Sequence, residues 1–386
     1  MDLTTFDQLL APRGQALLTE VQARQSEETE LALGTRLRRE HSPELVAAAM
    51  TQVQLRAKAQ RKFGDEAATL YFTPDALEQA TRRAVADHRA ARLARLGVSH
   101  VVDLGCGIGA DLLACARAGL NVRGVDLDPV RVAVANANLV ALGFEPTVSA
   151  GDAETTALAD GEVAFVDPAR RDGRGRTFSL AALTPSWEFV TGLLAGRAVA
   201  KVMPGIAHAD LPPAVTAEWV SEGGDLVEAS LWGAGFSLDV ARRATVLPGG
   251  VELTSRDEPA SIGDVLSYLV EPDDAVIRAG LVAEFASDID GHLIDPHLAY
   301  VTTDSSETSP LGRWFRVSEE LPFREKALRA ALREHDTGAL TVKKRGVDIV
   351  PDELVRRLKL KGSTPRTLIL TRVSGEGRAF LVEPVA

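Results

Sequence analysis

The chain is poor in cysteine and contains only Cys106 and Cys115 among its 386 residues. Two cysteines cannot build a disulfide framework, and their spacing matches no metal-binding motif, so we predict no metal and favour a reducing cytoplasm. The chain also lacks an apolar run long enough to cross a membrane. Residues 1–7 carry neither the basic region nor the apolar stretch of a secretory signal. We therefore expect no membrane partner.

The chain also lacks an overall positive charge, which by itself disfavours a nucleic-acid ligand. Its formal net charge is −11. The distribution is uneven, because residues 324–378 hold 14 Lys and Arg against 7 Asp and Glu, a local net charge of +7 that leaves −18 on the rest. Such asymmetry predicts a basic interaction module on an acidic body. The alternative is a small basic domain without a nucleic-acid ligand.

A glycine-rich stretch at 101–111 organises the chain. An apolar run leads into three glycines at every second position, and an apolar helical pattern follows. This order predicts a strand, a tight turn and a helix whose first N–H groups point at a ligand above the turn. Nicotinamide enzymes use G-x-G-x-x-G, whereas the third glycine comes one place earlier here. A carboxylate at Asp103 would repel a pyrophosphate but suits a cationic ligand that carries an amino acid.

The remaining patterns predict an α/β protein in four parts. Residues 1–96 show helical spacing, with Ser42 as a helix cap and Thr73 as the cap of a helix that runs through His88 or beyond. From residue 98 strands alternate with helices, which predicts a parallel, doubly wound sheet. Segments 225–232 and 238–247 are predicted to form an antiparallel hairpin that closes this sheet. The predicted parts are an N-terminal helical domain, 1–96; a core, 97–248; a connecting β/loop subdomain, 249–310; and a small terminal α/β module, 311–386.

The sequence of residues 103–109, D-x-G-x-G-x-G, resembles motif I of the class I S-adenosylmethionine (SAM) methyltransferases. The predicted hairpin is typical of the same family, whose core is a seven-stranded Rossmann-like sheet. The resemblance implies SAM as the cofactor. The motif I residues that it places at the cofactor are Asp103, Gly105, Cys106, Gly107 and Gly109.

Further cofactor contacts are predicted at the ends of the next two strands. Asp126 ends the second strand, where a carboxylate can accept hydrogen bonds from ribose hydroxyls. Leu127 would flank the adenine. Asp152 and Ala153 follow the third strand, where this family places an acidic residue on the adenine amino group.

The sequence Asp167-Pro168-Ala169-Arg170 closes the predicted fourth strand. It resembles the D-P-P-[YFW] motif of methyltransferases that act on amino nitrogens, and the D-P-P-R of RNA methyltransferases, although no stacking aromatic residue is present. We predict catalytic roles for Asp167, Pro168 and Arg170. The arginines that follow suit phosphate binding, because guanidinium is planar, charged and bidentate. The predicted RNA-binding residues of this loop are Arg171, Arg174 and Arg176.

No cysteine follows Cys115, so we do not expect the covalent cysteine mechanism that is used at carbon 5 of pyrimidines. We expect direct, non-covalent transfer that depends on positioning.

The whole arrangement resembles bacterial class I methyltransferases with a C-terminal THUMP-like domain. The resemblance depends on residues 72–74, 103–109 and 167–170, and on the terminal K-K-R-G of 343–346 that leads to 358–362. The core and its helical extension are also similar to the RNA cap guanine-N2 methyltransferases, which implies that Phe72 and Thr73 border the cofactor. Lys343, Lys344 and Arg345 are predicted to protrude on a turn and to bind RNA.

These observations predict a cytoplasmic SAM-dependent methyltransferase that acts on structured RNA, and they do not indicate its oligomeric state. One alternative is a small-molecule or protein methyltransferase whose terminal module serves as a lid or dimer contact. A SAM-binding RNA adaptor without turnover is another, and a dehydrogenase is the most distant.

Overall fold

A computed structural model describes residues 1–170 and 180–385 of the protein. The chain divides into two compact units. The first comprises Met1–Val202, Pro212–Val215 and Ser230–Ser237, and the second comprises Met203–Leu211, Thr216–Ala229 and Leu238–Ala386. The predicted division into four parts stays a prediction.

Helices and strands alternate in the middle of the chain. The described α-helices are α1 (Leu3–Leu10), α2 (Pro12–Arg24), α3 (Glu30–Leu37), α4 (Pro43–Phe63), α5 (Pro74–Gln79), α6 (Arg83–Arg95), α7 (Ala110–Arg117), α8 (Pro129–Ala141), α9 (Trp187–Leu194), α10 (Asp274–Ala279), α11 (Val282–Asp288), α12 (Glu325–Glu334) and α13 (Pro351–Leu358). The described strands are β1 (His100–Leu104), β2 (Asn121–Asp126), β3 (Val148–Ala150), β4 (Glu162–Val166), β5 (Ala169–Arg170), β6 (Leu183–Thr184), β7 (Ala198–Val202), β8 (Thr216–Glu222), β9 (Asp225–Trp232), β10 (Arg242–Leu247), β11 (Val251–Thr254), β12 (Tyr268–Pro272), β13 (His292–Leu293), β14 (Val301–Thr303), β15 (Gly312–Leu321), β16 (Thr337–Lys344), β17 (Thr364–Val373) and β18 (Glu376–Pro384).

The first unit opens with helices whose caps match the prediction. Ser42 Oγ accepts the N–H of Leu45 at the start of α4, and Thr73 Oγ1 accepts the N–H of Ala76 at the start of α5. The predicted single helix from 73 through 88 is wrong, because α5 ends at Gln79 and α6 begins at Arg83. The ammonium of Lys62 accounts for the break, since it takes the carbonyls of residues 77, 78 and 80 at 2.6–2.9 Å.

The strands of the first unit form a sheet in the order β3-β2-β1-β4-β7, with the last residues of β9 beside β7. The register-matched pairs from β3 to β7 are all parallel, which confirms the predicted doubly wound sheet. Apolar side chains from the N-terminal region share one core with those of α7 and α8, among them Phe6, Leu9, Val46, Phe72, Leu112 and Val134. The N-terminal helices therefore pack against α7, α8 and the glycine turn.

The predicted hairpin of 225–232 with 238–247 is wrong in its pairing. Both segments are strands, but β10 pairs in parallel with β8 and antiparallel with β11. In the second unit the strand order is β9-β8-β10-β11. A hairpin needs a connection of about two to five residues, and the segment 233–241 is longer, so it does not hold β9 and β10 together.

The second unit also contains a seven-stranded sheet in the order β13-β14-β12-β15-β18-β17-β16. The predicted terminal hairpin is confirmed as the antiparallel pair of β17 and β18, and β16 pairs with β17 in parallel. Helices α12 and α13 bury their leucines against this sheet. Strands β12, β13 and β14 come from 249–310, so that segment supplies part of the same sheet.

Candidate active site

The glycine turn lies between β1 and α7 at the carboxyl edge of the parallel sheet. Gly109 is the N-cap of α7. Gly105 and Gly107 have φ angles of 91° and 58°, a region that side chains disfavour. A Cβ built on either residue would have no atom within 4 Å, so the space above the turn is open. The backbone thus forms a cradle that a ligand can approach closely, as the predicted cofactor requires.

Asp126 shapes this cradle from the end of β2. Its Oδ2 accepts the N–H of Gly107 at 2.9 Å, and its Oδ1 accepts the N–H of Asp128 at 2.9 Å. Each carboxylate oxygen has a second lone pair. The buried carboxylate can therefore hold the turn and still accept hydrogen bonds from a ligand such as a ribose.

The positions predicted to surround an adenine lie beside Asp126. Asp126 pairs with Ala150 of β3 in register, so the residues that follow each strand share one edge. Leu127 is 66% exposed and presents an apolar surface at this edge. Asp152 is exposed and its Oδ1 accepts the N–H of Glu154, whereas Ala153 is buried.

Asp103 lies within β1, below the turn, and is buried. Burial raises the pKa of its carboxyl well above the usual value, and the neighbouring carboxylates of Asp111 and Asp167 raise it further. The guanidinium of Arg89 acts in the opposite direction and forms an ion pair with Asp111. Arg89 also lies over the ring of Phe165, 4.6 Å from its centroid. A cationic ligand above the turn would favour the ionised form of Asp103, as the guanidinium of Arg89 does.

Asp167 follows β4, and its partner is a lysine on the adjacent strand. Lys201 of β7 donates to Oδ2 of Asp167 at 2.6 Å and to Oγ1 of Thr81 at 3.1 Å. Thr81 in turn donates to Oδ2 of Asp111 at 2.8 Å. The chain of contacts therefore connects the end of β4 with the first turn of α7. The side chain of Arg170, and residues Arg171, Arg174 and Arg176, lie outside what the structure describes.

The segment 70–73, which precedes α5, is held by side-chain amides. Gln52 bonds both the N–H and the carbonyl of Phe72, at 3.0 and 2.6 Å. Asn138 does the same for Tyr71, at 2.7 and 3.0 Å, and also donates to the carbonyl of Ile108 at 2.9 Å. Asn138 thus ties this segment directly to the glycine turn. Phe72 is fully buried against Phe63.

A cavity of about 480 Å³ lies on the helical side of this segment. Thr73 and Pro74 line it together with Gln52 of α4 and Asp2 near the N-terminus. Whether Phe72 and Thr73 border the cofactor stays a prediction.

Both cysteines are buried, Cys106 in the turn and Cys115 on α7. Burial and the nearby carboxylates raise the pKa of each thiol well above its usual value. The thiolate is the nucleophilic form of cysteine, so neither thiol is suited to covalent catalysis.

The terminal basic residues are placed differently from the prediction. Lys343 and Lys344 lie on β16 rather than on a turn, because the strand extends to Lys344. Lys343 and Arg345 approach the carboxylate of Glu271 at 2.6 and 3.5 Å. Only Lys344 of the three is exposed and without an ion pair to a described residue.

Among residues 1–170 and 180–385, no group of three or more His, Cys, Asp or Glu side chains is arranged to hold a metal ion. Within the same residues no helix is both long and apolar enough to span a membrane.

The fold and the cradle together define a class I Rossmann-like, SAM-dependent methyltransferase, and comparisons with known proteins agree. The family described as "Methyltransferase domain" matches residues 101–167, "THUMP domain-like" matches 312–384, and a domain of unknown function matches 2–59. Two uncharacterized S-adenosylmethionine-dependent methyltransferases of Mycobacterium tuberculosis, from strains CDC 1551 and H37Rv, are each 39% identical over 309 residues, which cover 78% of this chain and 84% of theirs. The chain belongs to this family of SAM-dependent methyltransferases with a C-terminal THUMP-like domain.

A solved structure supports the fold over nearly the whole chain. The crystal structure of a proposed methyltransferase from Porphyromonas gingivalis W83 has a TM-score of 0.77, with 21% identity, and covers 96% of this chain and 98% of its own. At this identity the likeness shows the fold alone.

The sequence analysis did not single out several residues that the structure places around the predicted site, and of these Lys201 bonds directly to the predicted Asp167. Lys201 could have been noticed as the one charge within the apolar run 198–202. Nothing in the sequence marks Thr81, Arg89 or Asn138, because their partners come from distant segments.

Proposed function

We propose that this methyltransferase acts on RNA. The support is the match of residues 312–384 to a THUMP domain-like family, together with the local charge of +7 over 324–378 on an acidic protein. A basic module concentrates phosphate attraction in one place. The predicted cytoplasmic location is part of the same proposal.

The cations available for phosphate differ from the predicted set. Several basic side chains of the terminal module are held by carboxylates, including Lys343 by Glu271 and Arg357 by Glu325. Lys344, Lys359 and Lys361 are exposed and form no ion pair within the described part of the chain. Lys359 and Lys361 follow α13 at the start of β17, whereas Lys344 ends the parallel strand β16, so these lysines lie at opposite ends of the strand pair. We place the phosphate contacts on these exposed lysines.

The transfer is direct and non-covalent. Cys106 and Cys115 are the only thiols in the chain, and both are buried with raised pKa values. We propose that Asp167 contacts the acceptor, with Pro168 and Arg170 beside it, and that the cofactor binds over the glycine cradle. In this arrangement Asp126 bonds the ribose, and Leu127, Asp152 and Ala153 surround the adenine.

The test is methyl transfer from labelled SAM to total RNA, protein and small-molecule fractions, each from matched cells. We expect label in RNA, and nucleoside mass spectrometry then identifies the modified base or sugar. Label confined to protein or to small molecules identifies one of the other acceptor classes and refutes the proposal. SAM binding without transfer to any fraction identifies an adaptor and refutes it as well.

RNA binding by the terminal module has its own test. Replacing Lys359 and Lys361 by Ala should weaken RNA binding across sequences and reduce the slope of log affinity against log salt by roughly 0.7 per lost phosphate contact. The double variant Lys58→Ala/Arg61→Ala removes the same charge from α4, so it is the matched control. Equal salt slopes for the two double variants would show that these lysines do not contact phosphate.

A further inference from the structure

Lys201, near the carboxyl end of β7, is a charged residue to which the proposed function gives no role. β4 and β7 pair in parallel with Val166 opposite Ala200. The next residues of the two chain segments, Asp167 and Lys201, therefore lie side by side at the carboxyl edge, where open α/β sheets bind their ligands. We propose that Lys201 completes the acceptor site and that the acceptor atom is a ribose hydroxyl oxygen of RNA. This inference rests on the proposed RNA function.

The pair is positioned for contact with a substrate. The side chain of Lys201 is 16% exposed and that of Asp167 is 36% exposed, so the pair lies at the surface of the site and not within the core. Lys201 is held from a second direction by Thr81, which is itself bonded to Asp111 at the start of α7. Asp167 uses Oδ2 for Lys201, and its Oδ1 accepts no hydrogen bond from the described residues.

The ammonium of Lys201 has carboxylates on two sides, Asp167 in direct contact and Asp111 beyond Thr81. Burial lowers the pKa of Lys62, the charges of Lys201 and Arg82 lower it further, and the charge of Glu78 acts in the opposite direction. A hydroxyl suits this pair because it can donate its proton to the carboxylate and accept a hydrogen bond from the ammonium, whereas the amino group of a base offers only donors. Methylation of a hydroxyl builds negative charge on oxygen as its proton leaves, and a fixed ammonium stabilises that charge.

The proposed methyl transfer needs only the acceptor hydroxyl, the methyl donor, Asp167, Lys201 and water. The acceptor oxygen forms a bond to the methyl carbon as the carbon–sulfur bond breaks, and the electron pair of that bond stays on sulfur. The hydroxyl proton passes to Oδ1 of Asp167, which acts as the general base. Lys201 keeps its proton throughout and stays bonded to Oδ2. Asp167 then returns its proton to water.

The position of the transferred methyl group is the first test. RNA labelled from SAM is hydrolysed in alkali, which cannot cleave the chain after a 2′-O-methylated nucleotide. We expect the label in alkali-stable dinucleotides. Label in base-methylated mononucleotides overturns the hydroxyl assignment but leaves RNA as the acceptor, whereas unlabelled RNA refutes the underlying function instead.

The role of Lys201 is tested by substitution. Lys201→Met should lower kcat by about 10²–10³-fold, as for loss of one charge-stabilising donor, and leave SAM affinity unchanged. Lys201→Arg should recover part of the loss, since it restores the cation. Arg123→Met is the matched control, because it breaks an ion pair of 2.6 Å with Glu162, the first residue of β4, at the other edge of the sheet. We expect that control to lose stability and keep kcat. A Lys201→Met protein with the kcat of the parent overturns the proposal, as does an equal fall in kcat for both variants.

Discussion

Asn138 makes a specific prediction about how the glycine turn is held. Its side chain is 1% exposed and satisfies the N–H and carbonyl of Tyr71 and the carbonyl of Ile108. Asn138→Ala would leave all three of these backbone groups without their partner in a buried place. A buried group left unsatisfied costs about 1–3 kcal/mol, so the loss of three partners should lower the free energy of unfolding by about 3–9 kcal/mol. That is a large part of the roughly 5–15 kcal/mol that stabilises a typical domain.

Urea denaturation followed by circular dichroism measures this loss as a lower midpoint. SAM affinity, measured well below the midpoint, should fall as well, because the carbonyl of Ile108 lies within the turn. Gln54→Ala is the control, since Gln54 is an exposed amide on α4 with a single partner, Glu30 at 2.9 Å. Its effect should stay within about 0.5 kcal/mol. Equal midpoints for the Asn138 and Gln54 variants would refute this role of Asn138.

Other predictions concern the cofactor, the thiols and acid stability. Asp126→Ala should weaken SAM binding by calorimetry about ten- to hundredfold, since a hydrogen bond to a charged group contributes about 1.5–3 kcal/mol, and unchanged affinity would contradict its assignment to the ribose. The double variant Cys106→Ser/Cys115→Ser should keep measurable methyl transfer, and a folded, SAM-binding but inactive variant would contradict the non-covalent mechanism. The hydrogen bond from Arg123 lowers the pKa of Glu162 from 4.5 to about 2. A lowered pKa stabilises the fold above pH 4.5 and loses that contribution as pH falls toward 2, so the stability difference between the parent and Glu162→Gln should shrink over this range. A difference that does not change with pH would contradict it.

The parallel sheet and the cradle could be predicted because local patterns encode them. Three features lie close together in the sequence: the apolar run predicts a strand, the alternate glycines predict a tight turn, and the spacing after Gly109 predicts a helix. The caps at Ser42 and Thr73 were predicted for the same reason. The pairing of β10 could not be predicted, because two strand-like segments separated by a turn do not encode which neighbour each of them takes.

The contacts of the site join residues that are distant in sequence, so local sequence patterns could not predict them. Lys201 and Asp167 are neighbours only because β4 and β7 pair in parallel. The break at 80–82 that positions Thr81 depends on a lysine from α4, and no glycine or proline marks it. Lys343 looked available for phosphate because Glu271, which pairs with it, lies in a segment without a clear pattern.

The central claim is that methyl transfer takes place at the carboxyl edge of the sheet, where Asp167 follows β4. The most direct measurement compares Asp167→Ala with the parent protein in two assays, SAM binding by calorimetry and methyl transfer to RNA from labelled SAM. We predict that the variant binds SAM with nearly the affinity of the parent and transfers no methyl group. A variant that binds SAM normally and still methylates RNA at the parent rate would contradict this placement of the reaction.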